Sequence, residues 1–325
     1  MGSERKAQEG VYFYDYNLHQ QDQKQEILHG LGQLPKRISA KYFYDQAGSE
    51  LFEAITQLDE YYPTRTEIQL LQDYRQDIIQ QAGENALLIE YGSGASTKIR
   101  LLLDALKPQA YVPLDISKDF LFESAIELRQ QFPWLEIHAT CLDYRQPATL
   151  PRHFSPHAKK VAFFPGSSLG NFSPEEAQSF LNGVRATVGD NGALLIGVDL
   201  VKPHEVLNAA YNDSQGVTAE FNLNCLRHLN SLGQGNFNLD HFDHHAFFNA
   251  EQSRIEMHLI SKYDQVVSLF NERLRFKQGE AIITEYSYKF DLEGFQQFVQ
   301  RSGFQCEQYW TDENQYFALF WLKAV

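Results

Sequence analysis

The residues best suited to chemistry in this chain are acids and glycines that end short apolar runs. Leu87-Leu88-Ile89 leads into Glu90-Tyr91-Gly92-Ser93-Gly94, and Thr97-Lys98 follows as a helix start. Gly92 and Gly94 let a main chain pass close to a ligand, and a helix start offers free N–H groups. The dinucleotide fingerprint places a third glycine three residues further on; Thr97 stands there instead, which weakens a nicotinamide reading. An acid such as Glu90 at the strand end suits a ligand with a positive pole, as in the ammonium and sulfonium of S-adenosylmethionine. Asp115, which ends the next apolar run, lies close to the offset at which an acid grips ribose hydroxyls in such folds. Asp143 ends a third run, where an acid can accept from an adenine amino group, with Tyr144 beside it.

These residues need a scaffold that brings strand ends together. Runs at 87–90, 110–117, 135–144, 159–166 and 192–200 read as strands, and helical patterns separate them at 99–106, 120–131 and 174–188. The last has Ser173 placed as N-cap, Pro174 at the first helical position and Glu175-Glu176 in the first turn. Alternating strands and helices predict a parallel sheet covered on both faces, with ligands at the carboxyl ends of the strands. Near the C-terminus, a helix over 292–301 precedes two strands flanking Thr311-Asp312-Glu313-Asn314, the pattern of a hairpin. The expected fold is α/β: a Rossmann-like sheet finished by an antiparallel hairpin, resembling the class I methyltransferase fold.

Composition narrows the partners. The chain has 325 residues, 43% of them hydrophobic, and a formal net charge of −14. That charge opposes phosphate-backbone binding, so no nucleic-acid partner is expected. The three cysteines, Cys141, Cys225 and Cys306, are far apart and suit a reducing cytoplasm. No apolar run approaches a membrane span, and no signal peptide is visible. A cytoplasmic monomer is expected, with the polar residues to about Gly10 frayed. The histidines of His241-Phe242-Asp243-His244-His245 lack a second ligand cluster, so no metal is expected.

Two segments fall outside the strand–helix series. Residues 66–201 and 288–325 are assigned to a cofactor-binding core, and residues 1–65 and 202–287 to a second, substrate-binding lobe over the strand ends. The added segments and the loop after the fourth strand carry long signatures. These are Phe43-Tyr44-Asp45-Gln46-Ala47-Gly48-Ser49, Glu60-Tyr61-Tyr62-Pro63-Thr64-Arg65-Thr66-Glu67, Phe164-Pro165-Gly166-Ser167-Ser168-Leu169-Gly170-Asn171-Phe172, Gly216-Val217-Thr218-Ala219-Glu220-Phe221-Asn222 and Arg254-Ile255-Glu256-Met257-His258, joined by Thr284-Glu285-Tyr286-Ser287.

At these motifs, from about Leu34 to the C-terminus, the chain resembles the L-histidine Nα-methyltransferases of ergothioneine biosynthesis, which trimethylate the α-amine of histidine to hercynine. The resemblance implies that Tyr61, Asn171 and Tyr211 anchor the α-amino and α-carboxylate groups of L-histidine and that Tyr44 approaches the amine side. It implies that Glu285 and Ser287 hold the imidazole, that Met257 lines the same side-chain site, and that Gly92, Lys98, Asp115 and Asp143 contact S-adenosylmethionine. Gly166 and Ser168 lie in the loop joining the two sites, with Ser168 where many members carry threonine. Among these, Tyr44, Tyr61 and Asn171 are the expected catalytic group, and Glu90, Gly94 and Tyr144 complete the expected cofactor set.

The chemistry fits these residue types. Methyl transfer to an amine is an in-line displacement in which the substrate supplies the nucleophile, so positioning and desolvation carry most of the rate. Glu285 and Ser287, at i and i+2 on a strand, point to one side, and a carboxylate with a hydroxyl can serve the two imidazole nitrogens. Three other readings compete: an Nα-methyltransferase for another aromatic amino acid such as a tryptophan derivative, a non-catalytic binding protein, and a nicotinamide-dependent oxidoreductase.

Overall fold

The computed structural model describes residues 3–16, 20–144, 154 and 158–325. In chain order the elements begin with β1 (Ser3–Gln8), β2 (Val11–Asp15), α1 (Gln20–Gly32), β3 (Lys36–Arg37), α2 (Gln46–Thr56), α3 (Tyr62–Asp73) and α4 (Arg75–Ala82). They continue with β4 (Leu87–Tyr91), α5 (Thr97–Leu106), β5 (Ala110–Asp115), α6 (Lys118–Gln131), β6 (Ile137–Cys141), β7 (Lys160–Phe164), α7 (Pro174–Val188) and β8 (Ala193–Asp199). Next come α8 (His204–Ala210), α9 (Val217–Gly233), β9 (Phe242–Asn249), β10 (Arg254–Ser261), β11 (Gln265–Leu269), β12 (Glu272–Phe276) and β13 (Ala281–Tyr288). The chain closes with α10 (Leu292–Gln300), β14 (Phe304–Thr311) and β15 (Phe317–Ala324).

Two compact units share these elements. The first comprises Met1–Asn17, Pro63–Val201 and Lys289–Val325, and the second Leu18–Tyr62 and Lys202–Tyr288.

The first unit is built on a nine-stranded sheet in the order β1-β2-β6-β5-β4-β7-β8-β15-β14. From β2 to β8 the neighbours run parallel, and β15 and β14 close the far edge antiparallel. The order reverses at β4, so the crevice of a doubly wound sheet opens at the end of that strand. This is the class I methyltransferase arrangement expected from the sequence. The central strands are buried along their whole length, which is why they read as continuous apolar runs. On one face Leu88, Tyr111, Ile137 and Leu195 pack with Leu71 of α3, Ile78 of α4, Leu103 of α5 and Leu128 of α6. On the other, Ile89, Val112, Phe164 and Phe320 pack with Phe180 and Val184 of α7 and Phe295 of α10. Each such side chain contributes roughly 1.5–3 kcal/mol by leaving water. The start of α7 carries a full capping box: Glu176 N donates to Ser173 Oγ at 3.2 Å, and Ser173 N donates to Glu176 Oε2 at 2.8 Å.

The N-terminus departs from the expectation of a frayed tail grouped with the second lobe. β1 and β2 form an antiparallel ribbon, and β2 pairs in parallel with β6 from Val11↔Ile137 to Asp15↔Cys141. Val11 and Phe13 belong to the same core cluster as Ile137, so residues 3–15 extend the sheet.

The second unit holds a four-stranded sheet, β3-β13-β10-β9, a separate β11–β12 ribbon, and helices α1, α2, α8 and α9. β10 pairs antiparallel with both β13 and β9. The β10–β13 register shifts between Met257↔Glu285 and His258↔Ile283, leaving Thr284 as the extra residue of a bulge.

Candidate functional sites in the two units

The donor-type site is built by the turn after β4. Gly92 and Gly94 both take left-handed backbone angles, φ 69° and 50°, which side chains disfavour. The N–H groups of Gly92 and Ser93 donate to Leu114 O at 2.8 and 3.1 Å, tying the turn to β5. Asp115, at the end of β5, accepts from Gly94 N and Ser117 N, each at 2.9 Å. One strand-end carboxylate therefore braces both the glycine turn and the start of α6. Burial pushes its pKa up, against the pull of those N–H groups. Tyr144 lies across the turn: a Cβ on Gly92 would sit 3.4 Å from its hydroxyl, and its ring stands edge-on to Tyr91, Phe164, Phe172 and Phe180. Asp143 precedes it directly.

Glu90 differs from the counter-charge expected of it. It lies on the sheet face of Leu88 and Tyr111 and accepts the Tyr111 hydroxyl in a short hydrogen bond. Ser96 Oγ stands 3.2 Å from the same phenol oxygen. Burial raises the Glu90 pKa to about 8, with the Tyr111 bond and Lys98 opposing and Glu67 and Asp115 adding to the rise. At neutral pH its carboxyl is largely protonated, so it closes the floor of the turn by hydrogen bonding. Lys98, in the first turn of α5, forms an ion pair with Glu67 at 2.5 Å.

The loop after β7 is the second constructed element of this unit. Gly166 has φ 79° and Ser167 φ 59°. Gly166 N points at both oxygens of Glu67, at 2.9 and 3.1 Å. Ser168 Oγ donates to Pro165 O at 3.1 Å, and a 3-10 turn, Ser168–Asn171, delivers Asn171. Ser167 Oγ accepts from Asp199 N at 2.8 Å, and Asp199 pairs with Lys289 at 2.8 Å, both side chains 1% exposed.

The second unit gathers most of the expected substrate residues. Met257 and Glu285 are direct cross-strand partners, and Ser287 lies two residues beyond Glu285 on β13. The Tyr211 hydroxyl donates to Ser287 Oγ at 2.9 Å. The Tyr211 ring stands edge-on to Tyr61, Tyr61 to Phe52, and Phe52 to Tyr44, with centroids 6.4, 6.3 and 5.8 Å apart. The sequence assigns Tyr211 and Ser287 to opposite ends of the substrate; within this unit they form one hydrogen-bonded pair. Gly166, Ser168 and Asn171 belong to the first unit.

A polar network supports this row. Asn222 of α9 is fully buried; its amide donates to His244 Nδ1 at 2.9 Å and His258 O at 3.1 Å, and its oxygen accepts from Thr284 Oγ1 at 2.7 Å. His244 Nε2 faces Tyr211 O at 2.9 Å, so that nitrogen carries the hydrogen and Nδ1 accepts. Burial lowers the His244 pKa, which keeps this neutral tautomer. The bulge residue Thr284 also donates to Met257 O at 3.0 Å. His244 and His245, adjacent on β9, point to opposite faces. Among the described residues, no group of three or more His, Cys, Asp or Glu is placed to hold a metal, and no helix is long and apolar enough to cross a membrane.

With both sets of residues in place, comparison with known proteins is decisive. The model of the histidine-specific, S-adenosylmethionine-dependent methyltransferases matches residues 23–324. The chain belongs to that family. It is 36% identical to the histidine N-alpha-methyltransferase of Mycolicibacterium smegmatis, covering 89% of this chain and 91% of that protein. Ergothioneine biosynthesis protein 1 of Neurospora crassa is 29% identical over 87% of this chain, which spans 32% of that longer protein. The 4-dimethylallyltryptophan N-methyltransferase of Claviceps purpurea is 26% identical over 93% of this chain and 94% of its own length.

Sequence reasoning passed over Glu67, Tyr111, Asn222 and Asp199 as site components. Glu67 and Asn222 did lie in motifs, ending Tyr61-Tyr62-Pro63-Thr64-Arg65-Thr66-Glu67 and Gly216-Val217-Thr218-Ala219-Glu220-Phe221-Asn222. Each sits on a helix and is fully buried, a rare state for such side chains without partners. Burial is what a helical pattern hides.

Proposed function

We propose that this methyltransferase transfers three methyl groups in turn from S-adenosylmethionine to the α-amine of L-histidine, giving hercynine for ergothioneine biosynthesis. The observation that carries the substrate assignment is the facing of Glu285 and Met257 across β13 and β10, with Ser287 beyond, held by Tyr211.

The first unit is the donor side. Asp115 is the acceptor for ribose hydroxyls, Asp143 serves the adenine end, and the Gly92–Gly94 turn gives close backbone approach. The donor set fits a sulfonium, because the Lys98 charge is paired with Glu67 and the Asp115 carboxylate stands at the same turn. When bound, the cosubstrate supplies an activated methyl group on a cationic sulfur. The second unit supplies most of the acceptor side. Tyr61 donates to the amino-acid head group, and the Tyr211 hydroxyl oxygen, whose hydrogen goes to Ser287 Oγ, accepts from it. Asn171 and the Gly166–Ser168 loop are the first unit's share. Tyr44 stands at the amine side, Glu285 accepts an imidazole N–H, and Ser287 serves the other ring nitrogen.

The amine attacks only when neutral, so its ammonium form loses a proton before each round. The nitrogen lone pair forms the new N–C bond while the C–S pair returns to sulfur. Holding the amine in line is then the protein's main task. A polar grip on the ring discriminates, because a ligand lacking the ring nitrogens forgoes the hydrogen bonds to Glu285 and Ser287. A tryptophan-type substrate is the second reading, favoured by the Claviceps relative. The Glu285–Ser287 pair opposes it, since an indole offers one N–H and no ring-nitrogen acceptor.

The chain is read as a cytoplasmic monomer acting on small molecules. The deciding experiment incubates it with S-adenosylmethionine and histidine or tryptophan and follows mass. One to three methyl groups on histidine support the proposal; methylation of tryptophan alone overturns the histidine assignment.

A further inference from the structure

Glu67 is a carboxylate with no solvent exposure on α3, outside every expected site. Both of its oxygens accept from Gly166 N, and Oε2 also takes the Lys98 ammonium at 2.5 Å. The sheet makes room for it at Gly197, where a Cβ would collide with Glu67 Oε1. A Cβ on Gly166 would lie 3.4 Å from Lys98 Nζ, so lysine, carboxylate and loop meet at one point. Lys98 belongs to the helix start that follows the glycine turn, and Gly166 opens the loop carrying Ser168 and Asn171. We propose that Glu67 is a positioning residue that fixes these two elements to one another and neutralises Lys98, so that the site favours a cationic methyl donor over its neutral thioether product.

The proposal rests on the donor assignment above. The electrostatic logic is specific. Glu90 is largely protonated at neutral pH, so it does not offset the Lys98 charge. With Glu67 neutral, a bare ammonium stands beside the donor turn. It repels a sulfonium and leaves a thioether unaffected. A purely structural Glu67 would weaken both ligands alike.

Glu67→Gln in the full chain keeps the shape and an acceptor for Gly166 N while removing the charge. Calorimetry with S-adenosylmethionine and with S-adenosylhomocysteine gives the affinity ratio. The ratio of donor to product affinity should fall roughly 5- to 50-fold, the range for one unit charge a few ångströms away at intermediate dielectric. The donor KM should rise in parallel. Adding Lys98→Met should return the ratio towards that of the unmutated protein. Lys98→Met alone, which needs no folded Glu67 variant, should shift it the other way, towards the donor. Equal loss for both nucleotides, or an unmoved ratio in Glu67→Gln and Lys98→Met, overturns the proposal. The unmutated protein is titrated and assayed with histidine first; if it binds neither nucleotide, the donor assignment itself falls and takes this inference with it.

Discussion

The two units hold their functional residues by different physics. In the first, the chain's own backbone does most of the work: left-handed glycines, strand-end N–H groups and one carboxylate that caps two turns. Asp115 is rigid because Gly94 and Ser117 each give it an N–H. In the second, side chains hold side chains. Tyr211 is fixed by Ser287 through its hydroxyl and by His244 through its carbonyl, and His244 by Asn222. A backbone cradle tolerates little change and suits a ligand that is constant across a fold. A side-chain network can be re-aimed one residue at a time, which suits the part that sets substrate identity.

The largest effect is expected where backbone and charge coincide. Asp115→Ala should weaken S-adenosylmethionine binding by at least about 100-fold, since two charge-assisted hydrogen bonds to ribose contribute ~1.5–3 kcal/mol each. Histidine binding, measured by the same calorimetry, should change far less. Equal loss of both would mean that the two units do not divide the ligands as proposed.

Glu285→Ala tests the other unit. It should cost histidine roughly 10- to 150-fold in affinity, the range of one charge-assisted hydrogen bond. Tryptophan or phenylalanine should lose nothing. The relative methylation rates of histidine and tryptophan decide the matter, and an unchanged ratio would defeat the imidazole assignment while leaving the methyltransferase reading intact.

Tyr211→Phe should be milder, a loss of ~1–3 kcal/mol in substrate affinity from one hydroxyl and the partner it leaves unsatisfied. Donor binding should survive, because Tyr211 is held within the second unit. Asn222→Leu separates support from contact: it strips partners from Thr284 and His244 and should lower stability by about 2–4 kcal/mol, read by denaturant titration. If Asn222→Leu left stability intact, the network would not be the scaffold of the row it underlies.

How much of this was legible in the sequence follows the same division. The strand ends, the glycine turn and the capping box at Ser173 are local and contiguous, so short windows reveal them. The resemblance named Tyr211, Met257, Glu285 and Ser287, but not that Tyr211 and Ser287 share a hydrogen bond, because that link spans 76 residues. The bulge at Thr284 has no periodic signature. The N-terminal ribbon was missed because its polar first strand pairs only at the sheet edge, where alternation carries little information. Glu90 reads as a charge because a strand-end acid usually is one; its neutral state comes from burial within the sheet, which outweighs the Tyr111 hydrogen bond that favours the ionised form.

The smallest expected effect follows from that neutral state and is a matter of pH. The Glu90 carboxyl has a folded pKa raised to about 8 by burial, above the value of 4.5 for an unperturbed glutamate. The folded protein therefore holds more protons than the unfolded chain between those values. Stability from this group is full at the acid end of that window and falls as pH rises towards 8, then levels off. Glu90→Gln keeps the acceptor for Tyr111 and removes the titration. The melting temperature of the unmutated protein should drop by a few degrees more than that of Glu90→Gln between pH 6 and pH 9. The contrast should be confined to this unit's chemistry: a ligand with a positive sulfur favours the ionised carboxyl, so adding S-adenosylmethionine should shrink the difference between the two proteins. Parallel curves with and without the nucleotide would show that Glu90 titrates no differently in the folded and unfolded states, and would return it to the role of an ordinary strand-end carboxylate.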